Sequence, residues 1–586
     1  MSVAPLPPSH FAPDLPNLRD HTADHRMVVL ALAVLVVGAG GAAGAWVLLR
    51  LIALATNLFW YGRLSADPAT MAAGANPAMI VLMPVLGSLI VGLMARYGSE
   101  KIRGHGIPEA IETILYGESR LSLKVAILKP LSSAISIGSG GPFGAEGPII
   151  MTGGAIGSLF AQRFHLTAAE RKTLLVSGAA AGMTAIFGTP LAAILLAVEV
   201  LLFEWKPRSF VPVVLACLVA YVLRGVWLGG GPMFPANLTM PAGFWVLAAA
   251  LGLGLLQGAL AGVLSSALYR VEDGFHRLPV HWMWWPAIGG LVVGLGALID
   301  PRVLGAGYAN IQALLDGAMS ARAIALLLAV KAMVWLVALG SGTSGGVLAP
   351  LLMLGGALGA LAGLWLPGGE GVWAMIGMAG IMSGAMRAPL TGALFAAELT
   401  GHFEALPLTM ACAIGAYGVS VLVMRRSILT EKIARRGRHI RQEYSVDPLE
   451  LFQVERIMTP APQTMADTTL VSEALAFFAD GAWHRSYPVV NAAGGLVGMV
   501  SREDALNWQS GGMELDLCLR DVLSDASSPY VWPQTPIGAL ADLILETGKG
   551  RIPVLSPADG RVVGMVTRHD LLKARQAARA DEVVRA

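Results

Sequence analysis

Long apolar runs joined by short polar links fill the chain up to about residue 440. Met27 to Leu49 carries no charge and is bracketed by Arg19 and Arg26 before it and Arg50 after it. About 20 apolar residues suffice to cross a bilayer, so this run predicts a first spanning helix. It is too long for a leader core and ends in no cleavage-like site. Further apolar stretches lie near 75–96, 123–137, 169–203, 208–228, 243–269, 282–299, 321–340, 347–366, 371–399 and 405–424. Several are short and broken by Gly or Pro. Such segments enter the membrane without crossing it and line a site at mid-depth. After about residue 445 the pattern changes to the short period-2 runs of a soluble α/β domain.

Composition agrees with a polytopic membrane protein: 55% hydrophobic, 14% charged, mean hydropathy +0.64. The net charge of +2 comes with no basic patch interleaved with aromatics, so nucleic acid is not expected as a partner. Arg425, Arg426, Lys432, Arg435, Arg436, Arg438 and Arg441 follow the last apolar segment and place that end on the cytoplasmic side. Cys217, Cys412 and Cys518 have neither metal nor disulfide spacing and are expected to be packing residues.

One stretch concentrates the chemistry. Gly138-Ser-Gly-Gly-Pro-Phe-Gly-Ala-Glu146-Gly-Pro148 sets a single carboxylate in a glycine-rich break between apolar segments. Pro148 suits the first turn of a following helix, and a helix start with bare N–H groups attracts anions. Gly340-Ser-Gly-Thr-Ser-Gly-Gly-Val-Leu348-Ala-Pro350 repeats the device with the same ten-residue Gly-to-Pro spacing, but with Leu348 in the glutamate's place. The repeat extends further. Gly178-Ala-Ala-Ala-Gly182 leads to Pro190 and Glu199, and Gly380-Ile-Met-Ser-Gly384 leads to Pro389 and Glu398, with nine residues from Pro to Glu in both. Two inverted halves meeting at a midplane site account for this. A carboxylate at membrane depth costs about 2.5–3.5 kcal/mol. A helix N-terminus returns roughly 0.3–2 kcal/mol. So nearly balanced a group can be displaced by an anion or a proton, which suits a gate; a simple N-cap is the plainer reading.

These motifs, with Gly104-His105-Gly106-Ile107-Pro108-Glu109, stand in the order of the CLC chloride channel and transporter family, which residues 27–440 resemble. The expected fold is a polytopic α-helical membrane protein with an inverted internal repeat, assembled as a homodimer with one anion pathway per subunit. The resemblance makes Glu146 the gating glutamate. It turns the backbone N–H groups of Gly147, Val347 and Leu348 toward the anion, with Gly106 beside them, and gives Lys129 an electrostatic supporting role. A lysine at a helix edge that snorkels or pairs is the alternative for Lys129.

The tail resembles a tandem of cystathionine-β-synthase (CBS) domains, with Tyr487-Pro-Val-Val490 to Ser501-Arg-Glu-Asp504 in the first and Ile552-Pro-Val-Leu555 to Thr567-Arg-His-Asp570 in the second. The implied organisation is an N-terminal tail over 1–26, a linker and first CBS domain over 441–511, a second over 512–577 and a C-terminal tail over 578–586. In that family the Ser501/Asp504 and Thr567/Asp570 positions hold the phosphate and ribose of an adenosine nucleotide such as ATP or AMP. Helix capping explains them equally well.

Three positions depart from the family pattern. His105 replaces a serine whose hydroxyl donates to the central anion. A neutral imidazole still donates one N–H, unless the ring turns into the wall. Leu429 stands where related sequences have an anion-coordinating Tyr. Val200 follows Glu199 where proton-coupled members carry a second glutamate, and an apolar residue relays no proton. Leu348 replaces an aromatic, and Ala145 an Arg or Lys. The expected function is a passive, gated chloride or small-anion channel in the plasma (inner) membrane, with both termini cytoplasmic and regulation by the CBS pair. A chloride/proton antiporter of the same fold is the alternative; a CBS-regulated cation transporter and a transport-dead nucleotide sensor are more distant ones. With no nucleophile–base pair and no HExxH spacing, no enzyme, resident cofactor or metal is expected.

Overall fold

The computed structural model describes residues 26–71, 75–438, 452–523, 528–574 and 576. These fall into two compact units, one within 21–443 and one within 444–586.

The first unit opens with α1 (Arg26–Tyr61), α2 (Pro77–Tyr97), α3 (Ile107–Tyr116), α4 (Leu123–Gly138), α5 (Glu146–Arg163), α6 (Ala168–Phe187), α7 (Pro190–Leu196) and α8 (Pro207–Trp227). Its second half repeats them as α9 (Phe244–His276), α10 (Trp285–Ile299), α11 (Tyr308–Leu315), α12 (Ala321–Gly340), α13 (Leu348–Gly363), α14 (Gly369–Met386), α15 (Pro389–Thr400) and α16 (Leu406–Val423), and α17 (Ile428–Arg435) follows. Among the described residues, seven helical segments are long and apolar enough to cross a membrane. The apolar stretches 169–203 and 371–399 are each two helices rather than one. Gly188 (φ 71°) and Arg387 (φ 60°) turn the chain through the left-handed region. Pro190 and Pro389 then open the next helix, where a missing N–H costs nothing. Helices α3 and α11 escape the apolar pattern because they are short and carry polar faces.

The hydrogen bonds themselves show an approximate two-fold axis. The Gly144 N–H donates to the Gly346 carbonyl (3.2 Å), and the Gly346 N–H donates to the Gly144 carbonyl (2.9 Å). These are the same position in the two glycine-rich breaks, and equivalent groups exchange bonds in this way across a two-fold. Farther along, Glu199 accepts the Leu390 (3.2 Å) and Thr391 (2.8 Å) N–H groups of α15. Glu398 accepts the Leu191 (3.0 Å) and Ala192 (2.7 Å) N–H groups of α7. Each Pro-to-Glu block therefore caps the helix of the other half, satisfying N–H groups that a helix start leaves unpaired. Close packing repeats as well. A Cβ on Gly153 or Gly178 would overlap the other's carbonyl, and so would one on Gly355 or Gly377. Small residues let α5 approach α6, and α13 approach α14, backbone to backbone.

In the second unit, β1 (Thr459–Pro460), β2 (Met465–Ala466), β3 (Ser486–Val490), β4 (Leu496–Ser501), β5 (Arg551–Leu555) and β6 (Val562–Thr567) form two sheets ordered β1-β6-β5 and β2-β3-β4. Each holds an antiparallel hairpin, with Tyr487 opposite Val500 in one and Ile552 opposite Val566 in the other.

The crossed caps make a prediction. Glu398→Ala leaves two N–H groups at the start of α7 without their acceptor, that of Ala192 buried and that of Leu191 partly so, and should cost about 1–3 kcal/mol. It should appear as a lower denaturation midpoint of the purified protein in detergent; an unchanged midpoint would show that the cap contributes nothing.

Candidate anion site

Helix α5 begins at Glu146, and the side chain crosses from there to the start of α13. Its Oε1 accepts the Ala349 N–H at 3.1 Å, and the Tyr308 hydroxyl lies at 3.5 Å from the same oxygen. Oε2 is buried without a partner, and the whole residue is 0% exposed. A Cβ on Gly144 would meet three atoms of this carboxylate, and one on Gly346 would meet Oε2. Glycine at both positions makes the room in which the carboxylate lies. Glu146 thus occupies a helix N-terminus, the place where the dipole and bare N–H groups favour a negative charge.

The expected donors are distributed around it. Gly147 lies in the first turn of α5, and a Cβ there would overlap the His105 carbonyl, so the His105 loop is pressed against α5. Gly106 donates its N–H to Glu109 at 3.0 Å and is thereby committed to the start of α3. Val347 precedes α13 and Leu348 opens it, both fully buried. The N–H that reaches Glu146 belongs to the next residue, Ala349, which the sequence did not single out.

Lysines anchor both loops. Lys129, fully buried in α4, donates to the carbonyls of Ile102 (2.8 Å) and Gly104 (2.7 Å), just before His105. Lys331, fully buried in α12, donates to those of Val303 and Gly305, both at 2.8 Å. The second lysine repeats the first and was missed, although its spacing of 17 residues before Leu348 equals that of Lys129 before Glu146.

His105 is 3% exposed, and its Nδ1 has no partner. It lines a cavity of about 830 Å³ together with Arg103, Glu109, Tyr269, Lys432 and Arg436. The described basic residues of α17 and just beyond it, Lys432, Arg435, Arg436 and Arg438, are paired, while Arg441 lies outside the described residues. Lys432 binds Glu109 at 2.7 Å, Arg438 binds Glu112 at 2.9 Å, and Arg436 reaches both acids. These bonds fasten α17 to α3, a role that charge counting did not reveal. Leu429 is fully buried and its side chain offers no donor; nearby, the Tyr269 hydroxyl donates to the Ile428 carbonyl. Val200 is 1% exposed within a π-helical turn over Ala197–Leu202, beside a Glu199 engaged in capping.

In the second unit the Asp504 carboxylate accepts both the backbone N–H (2.8 Å) and the hydroxyl (2.6 Å) of Ser501. Asp570 does the same for Thr567 at 2.9 and 2.7 Å. Each Ser/Thr oxygen in turn accepts the Asp N–H. These are complete capping boxes.

Two helix N-termini facing one carboxylate across a two-fold, with a charged cavity at the neighbouring His105, define an inverted-repeat membrane protein with a candidate anion site. The chain belongs to the voltage gated chloride channel family, whose profile matches residues 87–421, and two CBS domains match 454–511 and 519–577. Among curated relatives, the "Voltage-gated ClC-type chloride channel ClcB" of Escherichia coli O81 (strain ED1a) is 31% identical over 383 residues, covering 63% of this chain and 91% of that protein. Its Shigella flexneri counterpart is 31% identical over 367 residues, covering 61% and 87%. Solved structures share the fold. A slow cyanobacterial Cl-/H+ antiporter gives a TM-score of 0.62 at 23% identity, covering 71% of this chain and 99% of that one. A eukaryotic CLC transporter gives 0.59 at 21% identity, covering 93% and 98%.

The glycine geometry is testable. Gly144→Ala puts a methyl group where the Glu146 carboxylate lies and should evict it, raising chloride efflux from proteoliposomes to the level of Glu146→Ala. Wild-type efflux in Gly144→Ala would mean that the carboxylate does not need this space.

Proposed function

We propose that the membrane unit passes chloride and other small anions passively, with Glu146 as the gate. The observation that carries this reading is the Ala349 N–H bond to Glu146 Oε1. The carboxylate lies where an anion would take the same donor, so the two compete for one place. His105, between the cavity and the first turn of α5, is the ring that an entering anion meets. Passive conduction is favoured over proton exchange by the apolar Val200 and by the engagement of both Glu199 oxygens at α15. Leu429 leaves the inner mouth without a hydroxyl of its own. The CBS pair regulates the pathway from the cytoplasm, and the protein works as a homodimer in the plasma membrane.

Proton-coupled exchange is the second reading. Glu146 Oε2 has no donor and is free to take a proton, and a solved neighbour is named as a CLC-type fluoride/proton antiporter.

Chloride efflux from KCl-loaded proteoliposomes with valinomycin, with external pH recorded, separates the two. Chloride leaving without proton movement is expected; protons driven uphill would overturn the channel reading in favour of exchange. In the same assay Glu146→Gln should remove gating by pH or voltage and leave anions permeant, whereas gating kept intact would remove Glu146 from the role.

For the tail we propose adenosine-nucleotide binding at Ser501/Asp504 and Thr567/Asp570. Asp504→Ala combined with Asp570→Ala should weaken ATP or AMP binding by calorimetry on the full-length protein. Unaltered binding would leave these acids as caps alone.

A further inference from the structure

We infer that Tyr308 is a positioning residue that latches Glu146 into its closed place, and that its hydroxyl sets how much chloride is needed to open the pathway. The inference rests on the gate reading given above. It starts from the two oxygens of one carboxylate. Oε1 receives the Ala349 N–H at 3.1 Å and faces the Tyr308 hydroxyl at 3.5 Å, while Oε2 receives nothing. Among the described residues, Tyr308 is the side chain that hydrogen-bonds to the gate. Ala145, next to Glu146, brings no polar group of its own, and its backbone N–H lies against the same Tyr308 hydroxyl.

The position of Tyr308 is built rather than incidental. It is the first residue of α11, after Gly307 at φ 79°. The loop before it is tied twice: Lys331 holds the carbonyls of Val303 and Gly305, and the Gly305 N–H donates to the Gly140 carbonyl in the first glycine-rich break. The ring is held edge-on to Phe187 (centroids 6.5 Å apart, 86° between planes) and tilted against Phe234 (6.1 Å). A phenol so fixed presents its O–H at little further entropic cost. The two-fold makes the point sharper. Counting from the lysine-tethered carbonyls, the residue equivalent to Tyr308 in the first half is Ile107, which has no donor. The hydroxyl occurs only in the half that faces Glu146.

A chloride ion entering the site must displace the carboxylate and so break both bonds to Oε1. Removing the hydroxyl leaves the pathway and the Ala349 donor in place but weakens the competitor. The test is chloride efflux from proteoliposomes holding the full-length protein, measured against chloride concentration for wild type, Tyr308→Phe, Glu146→Gln and the double variant. The phenylalanine keeps the ring packing. Given the strength of a hydrogen bond to a charged acceptor, tempered by its length, Tyr308→Phe should lower the half-saturating chloride about three- to ten-fold. Maximal efflux should stay the same, and Tyr308→Phe should have no effect in the Glu146→Gln background. Equal half-saturation in wild type and Tyr308→Phe, with Glu146→Gln still altered, would overturn the latch and leave the gate standing. The same shift in both backgrounds would also overturn it, because the ring would then act independently of the carboxylate. Wild-type behaviour in Glu146→Gln would overturn the gate reading, and the latch with it.

Discussion

The exchange of two backbone hydrogen bonds between Gly144 and Gly346 fixes the place where the halves meet. Peptide groups inside a membrane must find partners within the protein, because lipid offers none. An irregular break between two helices therefore survives there only if another break satisfies it, and its own two-fold image is the natural complement. The pairing brings the starts of α5 and α13 together, so two sets of bare N–H groups face one small volume. Glu146 can reach Ala349 only because the breaks are joined, and it has room only because both joined residues lack a Cβ.

Symmetry builds the frame, and departures from symmetry supply the chemistry. Lys129 and Lys331 do the same work, each tying two carbonyls of the loop that precedes a short helix. Glu199 and Glu398 likewise cap across the axis in both directions. At the anion site the matching residues differ: Glu146 against Leu348, His105 against Ala306, and Tyr308 against Ile107. A perfectly symmetric site would hold either two like charges, which repel, or none. One acid, one imidazole and one phenol make the candidate site asymmetric, with the imidazole at the charged cavity and the phenol at the carboxylate.

Much of the fold was legible in the chain. The apolar runs, the two Gly-to-Pro breaks and the two Pro-to-Glu blocks are repeats of spacing, and spacing survives without knowledge of contacts. The CBS hairpins were legible for the same reason, since period-2 alternation reports strands locally. Less visible were Lys331 and Tyr308. A single lysine in an apolar run signals nothing until its partner carbonyls are known, and a lone tyrosine after a glycine looks like any helix start. The basic cluster after α16 was read only for its sign. Its pairing with Glu109 and Glu112 depends on α3 and α17 being neighbours, which over 300 residues of sequence conceal.

By itself, the sequence determined that helices would break at glycine, that they would restart within a turn of a proline, and which break would carry a carboxylate. These are local consequences of backbone freedom and side-chain identity. Only the tertiary structure decided that the carboxylate reaches the opposite helix's N-terminus, that Ala349 provides the donor there, and that Gly106 gives its N–H to Glu109. The physical reason is that a donor's direction depends on helix phase and on the crossing of two chains about 200 residues apart. Spacing along one chain fixes neither.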